Sequence, residues 1–573
     1  MEFNLLKKNL KKDYSQFPVV KIAMLADTST QLLAMAIKGY GYTRNIHFDV
    51  WEADYDQVSQ TIFDEDSTLY ASQPAYVILF LSSEKLLTEF YKKDIAGKKQ
   101  FAVERLHYIE KIIAFINSRI KCNIICLNHV EINDAVFGNF ANKTEASFLF
   151  QQRLINTGFM QLAVKMKNLN ICDISAVQNK IGRDIFCSEK FYITTDNVIG
   201  LESLPAIARN ITDIILSYSG DFKKCIVLDL DNTLWGGIIG DDGIEGIEIG
   251  QLGIGKAFTR FQQWICQLKE RGIILAVCSK NDEQIAKEPF LKHPEMVLRL
   301  EDIAIFVANW NTKVDNIQHI QKILNIGLNT MVFLDDNPFE REMVKKAFPE
   351  LTVPDLPEDP AEYLSFLYDL NLFETASFTE EDTHRNRQYR EEASRTELLL
   401  SYTNEVEFLE SLGMTVECRP IDNFTLPRAA QLTQRSNQFN LRTIRYTEEQ
   451  LRAIIPYKDK YSLTFTLADK YGDYGMISLV IMGKKDDQDL FIDTWIMSCR
   501  VLKRNVEQFV LNEIVTLAIK HNFKRVIGEY IATPKNGLVK DHYQRLGFIF
   551  ENDQWILEVE NYSAFNTYIK NID

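Results

Sequence analysis

The chain has 573 residues, a length that predicts about three or four domains rather than one core. Its hydrophobic fraction of 46% and charged fraction of 25% are typical of a globular protein. A formal net charge of -15 argues against a nucleic acid as the main partner, although it is compatible with a local basic patch. The nine cysteines are scattered without a zinc-ligand spacing, which predicts free thiols in a reducing compartment.

The first residues bear on where the protein is found. Residues 1–17 form a lysine-dotted amphipathic segment without the apolar core of a signal peptide. No apolar run in the sequence approaches the length that spans a bilayer. We therefore expect a cytoplasmic protein without a membrane partner.

Residues 1–218 alternate short apolar strands with helical stretches, which predicts a doubly wound parallel sheet of the flavodoxin type as the first domain. Its first strand, 19–26, ends in Asp27-Thr28 at the head of a helix. This loop resembles the Gly-Asp-Ser loop of the SGNH hydrolases, but Thr28 stands where that family has its serine. Without an Asp-x-x-His pair late in the domain, we expect binding or scaffolding rather than hydrolysis, with a helix N-cap as the alternative for the loop.

The most informative stretch is the apolar run 225–228 followed by Asp229-Leu230-Asp231. Alternate residues of an extended chain point the same way, so both carboxylates can face one site beyond the end of a strand. Burying two unpaired anions together is costly, so the pair implies a cation, a shared proton or both. A solvated turn is the alternative interpretation.

Three later segments supply partners for these carboxylates. An apolar strand ends at Ser279, whose hydroxyl can donate to a phosphate oxygen, and a helix opens at Lys313, which supplies a cation. A further strand, 331–334, ends in Asp335-Asp336-Asn337. Each signal by itself is typical of a turn or a solvated residue.

In this order, the segments predict a metal site. Asp229 and Asp335 can hold a hard divalent cation, with the backbone carbonyl of Asp231 and waters completing an octahedron. Mg²⁺ suits such a small oxygen-ligand set.

The motifs Asp229-x-Asp231-x-Thr233, Ser279, Lys313 and Asp335-Asp336 resemble those of the haloacid dehalogenase (HAD) phosphohydrolases. The resemblance implies that Asp229 attacks phosphorus and that Asp231 acts as acid and then as base. It implies further roles as follows: phosphate binding by Thr233, Ser279 and Lys313, metal ligation by Asp229, Asp231 and Asp335, and support from Asp336 and Asn337.

Short connections between these motifs bear on access to the site. After Thr233 there is room for a Gly-rich hairpin flap but not for a helical cap, and between Ser279 and Lys313 there is room for one helix and one strand. We expect a capless HAD Rossmannoid core over residues 219–370, with a site open to a macromolecular substrate or partner.

Residues 371–402 follow as a helical connector, whose arginines predict a solvated helical face. Residues 403–573 resemble the α+β fold of the GCN5-related N-acetyltransferases (GNAT), in which a helix after a strand binds the pyrophosphate of coenzyme A. Here Lys503 and Asn505 stand at the glycine positions of that motif. Ordinary acetyl-CoA-dependent transfer is therefore not expected.

Four further motifs bear on the family: Trp310-x-x-Lys313, Phe333 to Pro338, Arg435-x-Asn437-Gln438-Phe439-Asn440 and Asp493 to Arg500. Together they resemble the FkbH-like family, subfamily IIIC of the HAD superfamily. The resemblance implies handling of 1,3-bisphosphoglycerate, whose glyceryl group passes to a thiol and then to the phosphopantetheine arm of an acyl carrier protein, with loss of phosphate.

Cys499 is the candidate thiol, because it lies between a strand end and a helix N-terminus beside Arg500, both of which would lower a thiol pKa. A buried structural cysteine is an equally weighted interpretation. A docking patch for the carrier is expected around Lys503, Arg504 and Lys535. The alternative function is a capless phosphatase acting on a phosphoprotein or another phosphorylated metabolite, with the outer domains selecting substrate; a non-enzymatic scaffold is the third.

Overall fold

The computed structural model describes residues 2–220, 222–399, 405–436, 438–454, 457, 459–498, 501–502 and 504–572. The chain divides into two compact units, Met1–Leu216 and Ser217–Asp573. The first unit ends close to the predicted boundary at residue 218. The second unit contains the predicted phosphatase core, the connector and the C-terminal domain together.

The first unit is built on a parallel sheet of five strands in the order β2-β1-β3-β4-β5. The strands are β1 Val19–Ala26, β2 His47–Glu52, β3 Tyr76–Phe80, β4 Asn123–Leu127 and β5 Leu169–Cys172. The α-helices are Phe3–Asn9, Gln31–Thr43, Val58–Phe63, Thr68–Ala71, Ser83–Tyr91, Ile95–Arg119, Phe148–Lys165, Ile174–Ile181, Arg183–Phe186, Glu189–Thr195 and Leu204–Tyr218. This strand order is the flavodoxin-like one, which confirms the predicted fold of this part of the chain.

The long helix Ile95–Arg119 shows why this unit folds. It buries Ile109, Ile112, Ile113 and Ile116, a helical spacing that forms one apolar stripe. The stripe belongs to the same core cluster as residues of the central strands, such as Val77. Full burial of each such side chain contributes about 1.5–3 kcal/mol, which stabilises the packing of this helix against the sheet.

The second unit begins with a parallel sheet of four strands in the order β8-β7-β6-β9, here called the central sheet. Its strands are β6 Cys225–Leu228, β7 Ile274–Ser279, β8 Ile305–Ala308 and β9 Met331–Leu334. The α-helices around it are Ile239–Gly246, Gly255–Glu270, Glu283–Lys292, Lys313–Leu324, Pro338–Ala347 and Tyr363–Leu370. All four strands are fully or largely buried, as expected for a sheet covered on both faces.

The segment after β6 differs from the predicted hairpin flap. Gly236 and Glu248 form one antiparallel bridge, but the residues between them are helical over Ile239–Gly246, with a kink at Gly243 where φ is 66°. The carboxylate of Asp242 accepts a hydrogen bond from the amide of Ile238 at 2.8 Å, and an acidic first turn of this kind stabilises a helix N-terminus. The prediction of a hairpin was therefore wrong, while the segment is as short as expected.

The rest of the unit is built on an eight-stranded sheet, here called the C-terminal sheet, in the order β15-β16-β14-β13-β12-β11-β10-β17. Its strands are β10 Met414–Arg419, β11 Lys460–Asp469, β12 Gly472–Lys484, β13 Asp489–Met497, β14 Arg525–Gly528, β15 Ile549–Glu551, β16 Gln554–Glu558 and β17 Ile569–Asn571. Its α-helices include Leu426–Arg435, Glu448–Ile454, Val506–Lys520 and His542–Arg545. Strands β10 to β13 are antiparallel neighbours, whereas β13 and β14 are parallel and joined through the helix Val506–Lys520. This is the GNAT-like arrangement that the sequence predicts.

Strands β13 and β14 diverge soon after they start to pair. Asp489 to Phe491 pair with β14, but the far end of β13 bonds instead to the segment 439–441. The amide of Met497 donates to the carbonyl of Phe439 at 3.2 Å, and the amide of Leu441 donates to the carbonyl of Trp495 at 3.4 Å. The chain itself therefore fills the gap between these two parallel strands.

The connector, which comprises the helices Glu380–Thr383 and Arg385–Leu399, is not the solvated face that its charge predicts. Arg395 is 1% exposed and lies 2.8 Å from the Asp469 carboxylate of β11. Asn386 accepts a hydrogen bond from the Leu275 amide of β7 at 3.0 Å. One helix therefore bonds to both sheets of the second unit, and Arg387, with a side chain 70% exposed, keeps the expected solvated position.

The Arg395–Asp469 pair predicts a measurable contribution to stability. Asp469→Asn keeps the shape of the side chain but removes the nearest carboxylate from a buried guanidinium, leaving the more distant Glu392 at 3.6 Å and Glu391 at 3.8 Å. This loss should cost up to about 3–5 kcal/mol. The measurement is the free energy of unfolding of the full chain in urea. Arg387→Ala is the exposed control, which should change this free energy by less than about 0.5 kcal/mol. Equal free energies of unfolding for the two variants would contradict a structural role for the connector.

Candidate functional site

The register of the central sheet brings the acidic motifs together. Leu228 of β6 pairs with Leu334 of β9, so Asp229 and Asp335, which follow them, emerge side by side at the carboxyl edge. Asp229, Asp335 and Asp336 each present a carboxylate oxygen, and these oxygens lie within 4.8 Å of one another. Among the described residues this is the group of acidic side chains suited to a metal ion.

The carboxylate of Asp231 has partners of its own. It accepts hydrogen bonds from the Trp235 indole at 2.9 Å, the Ile239 amide at 3.0 Å and the Asn281 amide group at 3.2 Å. The third carboxylate of the cluster is therefore that of Asp336, while ligation through the backbone carbonyl of Asp231 stays a prediction. Burial, with a smaller contribution from Asp229, raises the pKa of Asp231, which suits a group that must carry a proton.

Lys313 lies in the middle of the acidic cluster. Its ammonium is 2.8 Å from Asp229 and 2.5 Å from Asp335, and its side chain is 3% exposed. Although burial lowers the pKa of Lys313, the two carboxylates outweigh burial and raise that pKa, so the lysine is charged. One ammonium among three carboxylates leaves the site with an excess of negative charge.

The excess of negative charge affects the pKa values of the carboxyl groups in the cluster. Burial and then the charge of Asp229 raise the pKa of Asp335 to about 7, with Lys313 opposing, and burial likewise raises the pKa of Asp336. A raised carboxyl pKa means that the folded state binds a proton more tightly than the unfolded chain. The folded state without a metal therefore loses stability as pH rises from the unfolded pKa towards the folded one.

The sign of this shift gives a prediction. Between about pH 4 and pH 7 the metal-free protein should lose stability as pH rises, because the acids must ionise in a buried cluster. The measurement is the thermal midpoint in EDTA across this range, repeated with Mg²⁺. Asp335→Asn should flatten the slope, whereas the exposed Asp241→Asn should leave it unchanged, and a slope that Asp335→Asn does not alter would contradict the assignment.

Ser279 and Thr233 are both predicted to bind phosphate, but their surroundings in the structure differ. Ser279 is buried and ends β7 at the carboxyl edge, next to β6, so it lies on the same edge of the sheet as the acidic cluster; its role in phosphate binding stays a prediction. The buried hydroxyl of Thr233 lies 3.2 Å from the Asp336 carboxylate and accepts from the Asp336 amide at 3.1 Å. Thr233 therefore helps to position Asp336, and its role in phosphate binding stays a prediction.

Further residues support the cluster. The amide of Asn337, which is expected in a supporting role, donates to the Asp335 carboxylate at 2.8 Å, and its side chain caps the helix Pro338–Ala347. Arg341, which the sequence does not indicate, is buried and donates to the backbone carbonyls of Asp335 at 2.8 Å and Asp336 at 2.6 Å. The sequence does not indicate Trp235 either, whereas Asn281 offers an amide donor two residues after Ser279 and donates it to Asp231.

The structure describes only some of the residues predicted for the acyl site and the docking patch. Cys499 and Arg500 lie outside the described residues, as do Lys503 and Asn437. Arg504, expected in a docking patch, is buried and donates to Tyr474 and Glu392, so it cannot serve there, whereas Lys535 is exposed.

The loop of the first unit that resembles an SGNH nucleophile loop is tied down. The hydroxyl of Thr28 is buried and donates to the carbonyl of Asp196 at 2.8 Å, and Asp27 accepts from the Ser82 amide at 2.8 Å. Thr30 precedes the helix Gln31–Thr43 without a side-chain cap, so the N-cap alternative was wrong. A hydroxyl held by a backbone carbonyl fits a structural role better than a nucleophilic one.

The central sheet, with paired acids at its carboxyl edge and no cap domain between the described strands, defines a HAD-type phosphatase domain. The chain belongs to the FkbH-like family of that superfamily. The family described as "FkbH, N-terminal domain" matches residues 21–216. The N-terminal part of the protein BF1531 from Bacteroides fragilis, containing a phosphatase domain complexed with Mg, is 48% identical over 66% of this chain and 100% of that one, with a TM-score of 0.63.

Two acetyltransferase structures are similar to the C-terminal region. The ribosomal-protein-S18-alanine N-acetyltransferase from Escherichia coli is 14% identical over 26% of this chain and 99% of its own, with a TM-score of 0.20. The GNAT domain of S. lividans PAT is 15% identical over 25% of this chain and 88% of its own, again with a TM-score of 0.20. These scores carry no functional argument, and the GNAT-like description rests on the strand order. No curated protein matches the chain.

Within the described residues, every helix is either too short or too polar to cross a membrane.

Proposed function

We propose that this chain is an Mg²⁺-dependent phosphatase and glyceryltransferase of the cytoplasm. It removes phosphate from a phosphoglyceryl group derived from 1,3-bisphosphoglycerate and passes the acyl group to the thiol of an acyl carrier protein. The proposed phosphatase activity is supported by the arrangement at the carboxyl edge of the central sheet. There Asp229 contacts Lys313, while the carboxylate of Asp231 is held by its own hydrogen-bond donors. Family membership supports the transfer half.

The two aspartates take different roles because their surroundings differ. A carboxylate oxygen of Asp229 attacks phosphorus, a bond forms between them, and the bond from phosphorus to the leaving oxygen breaks while Asp231 gives that oxygen a proton. Water then attacks the aspartyl phosphate, Asp231 takes its proton, and inorganic phosphate leaves with Asp229 restored. The raised pKa of Asp231 supports both proton transfers.

The donor set fits Mg²⁺. Asp229, Asp335 and Asp336 supply the hard oxygen ligands that Mg²⁺ prefers, and their charge exceeds that of Lys313. Bound there, the ion would neutralise charge on phosphoryl oxygens. Lys313 would contribute a further positive charge towards the same oxygens.

Acyl transfer requires a second reaction. An acyl phosphate loses phosphate when a thiolate attacks its carbonyl carbon: a carbon–sulfur bond forms, and the bond from carbon to the phosphate oxygen breaks. Exchange of that thioester with the phosphopantetheine thiol moves the glyceryl group to the carrier, and the first thiol is restored. Cys499 is the proposed first thiol, with Arg500 supporting its thiolate form.

A mass measurement tests the whole proposal. The chain is incubated with 1,3-bisphosphoglycerate, Mg²⁺ and holo-carrier protein, and the intact masses of both proteins are determined. We expect a glyceryl adduct on the carrier that disappears in Cys499→Ala but persists in Cys418→Ala, which changes a half-buried cysteine of the C-terminal sheet. Release of phosphate without an adduct on either protein would overturn the transfer half and leave the phosphatase half.

A plain capless phosphatase acting on a phosphoprotein is the second candidate. It is favoured by two large exposed side chains that follow strands of the catalytic edge, Trp310 after β8 at 77% exposure and Phe339 after β9 at 65% exposure. Exposed aromatic residues beside an open site suit contact with a protein substrate. Phosphate release from a phosphoprotein, lowered by Trp310→Ala while hydrolysis of p-nitrophenyl phosphate is unchanged, would support this candidate.

A further inference from the structure

A cavity of about 490 Å³ lies where the central sheet meets the C-terminal domain. On one side it is lined by residues at the amino ends of strands, namely Lys224 before β6, Ile274 at the start of β7 and Thr330 before β9. The Asp229 cluster lies at the carboxyl ends of the same strands. The cavity is therefore on the edge of the central sheet opposite to the proposed catalytic site.

The other side of the cavity is lined by the two motifs that phosphate chemistry at Asp229 does not use. Arg435 and Phe439 belong to the motif that runs from residue 435 to residue 440. Met497 and Ser498 belong to the motif that runs from residue 493 to residue 500. These motifs are distant in the sequence and meet in this cavity. A common ligand would explain why both line it.

The charge of the cavity contrasts with that of the chain. Among the described lining residues Glu350 is anionic, whereas these five are cationic: Lys224, Arg385, Arg428, Arg435 and Lys535. Two nearby carboxylates contact the arginines, since Asp382 accepts from Arg385 and Arg435, and Glu381 pairs with Arg428. Cations still outnumber carboxylates, in a protein with a net charge of -15.

Cations gathered around one cavity repel one another, and a bound anion would reduce this repulsion. Burial, and then the neighbouring Arg385, lowers the pKa of the Arg435 guanidinium well below its usual range, while Asp382 opposes the shift. Walls of low dielectric concentrate the field of these cations inside the cavity and attract anions. Planar guanidinium groups bind phosphate through paired hydrogen bonds, so phosphate is the anion that arginines recognise best.

The cavity is distinct from the gap between β13 and β14. The segment 439–441 fills that gap, and the amide of Ile531 donates to the carbonyl of Leu441 at 2.9 Å, which fastens the segment from the β14 side. A ligand threaded between the two strands would have to displace this backbone. The cavity, by contrast, faces the central sheet.

We propose that this cavity is a second ligand site, which binds the phosphate group of an organic phosphate independently of the Asp229 site. Its volume lies within the range of about 300–1,000 Å³ that is usual for small-molecule sites. The proposal deepens the proposed function, on which it rests for the reaction that the ligand serves; the binding itself does not depend on that function. The phosphate has two chemical sources, a phosphoglyceryl compound or a phosphopantetheine arm.

Two separate sites have a consequence for the reaction. Strand β6 has four residues, so the two edges of the central sheet are at least about 13 Å apart. A three-carbon substrate cannot reach both edges at once. The glyceryl group must therefore leave one site and be rebound, or be carried on a longer arm, between phosphate removal and thiol chemistry.

Titration calorimetry on the full chain in EDTA tests the site, because chelation keeps a divalent ion out of the Asp229 cluster. The probes are 3-phosphoglycerate and phosphopantetheine. We expect one of them to bind, and Arg428→Gln and the exposed Lys535→Gln each to weaken that binding by about tenfold or more, since a charge-assisted hydrogen bond contributes about 1.5–3 kcal/mol. The probe that binds identifies the source of the phosphate.

The controls separate this inference from the proposed function. Arg419→Gln, which replaces an arginine of β10 with a 63% exposed side chain, should leave unchanged both the binding of the probe and the hydrolysis of p-nitrophenyl phosphate with Mg²⁺. Binding of neither probe in EDTA, or binding that both cavity variants retain in full, would overturn the inference even if hydrolysis is normal. If instead the wild-type chain hydrolyses no phosphate ester but binds a probe in EDTA, the proposed function fails and the second site stands.

Discussion

Replacing Asp229 with Asn should lower phosphatase turnover by about 10³-fold or more, because the amide cannot form the aspartyl phosphate. Asn keeps the size of the side chain, so the central sheet should fold normally. Removing one charge from the acidic cluster should even raise the thermal midpoint in EDTA, since Asp229 raises the pKa of both Asp335 and Asp336. The measurements are kcat with p-nitrophenyl phosphate in Mg²⁺ and the thermal midpoint without metal.

Asp241→Asn is the matched control, since it makes the same chemical change at an exposed position on the helix that follows β6. Its turnover should stay within about twofold of the wild type. Turnover of Asp229→Asn close to that of this control would contradict the nucleophilic role and with it the HAD-type reaction.

The second large effect is expected for Lys313→Met. The substitution removes the ammonium that contacts Asp229 and Asp335 and leaves buried carboxylates without their facing charge. Breaking a buried pair in this way should cost about 3–5 kcal/mol of stability in EDTA. Turnover should also fall by about 10²-fold or more, because a fixed charge beside the phosphoryl group is lost.

Mg²⁺ distinguishes the two effects of this substitution. The ion should restore much of the lost stability, since it supplies positive charge to the same carboxylates, but it should not restore turnover. Lys280→Met serves as control: Lys280 pairs with Glu340 near the same edge and its side chain is 36% exposed. A Lys313→Met protein as stable in EDTA as Lys280→Met would show that the lysine does not neutralise the cluster.

The connector gives the second unit its organisation. Asn386 bonds to the central sheet and Arg395 to the C-terminal sheet, so both sheets are attached to one rigid helix. The basic cavity forms at this junction, with Arg385 of the same helix in its lining. A site built from two sheets and a helix depends on their relative positions, so variants such as Asp469→Asn are expected to disturb ligand binding in the cavity as well as stability.

Local patterns sufficed for much of the fold and the site. Apolar runs that end in polar residues predicted β6, β7 and β9 and the edge at which Asp229, Ser279 and Asp335 meet, because the carboxyl ends of parallel strands share one edge. Side-chain directions could not be predicted in this way. Asp336, expected in a supporting role, presents its carboxylate beside those of Asp229 and Asp335, while three donors hold the carboxylate of Asp231. Ligation through the backbone carbonyl of Asp231 stays a prediction.

Patterns along the chain were enough to predict β6, β7 and β9, the order of the motifs and the acidic character of the catalytic edge, because these depend on residues that are neighbours in the chain. The folded structure sets which partners distant residues find. It placed Arg395 against Asp469, Thr233 against Asp336 and the segment 439–441 in the gap beside β13. It also gathered arginines from separate segments around one cavity, since burial and charge compensation depend on three-dimensional neighbours that no local pattern records.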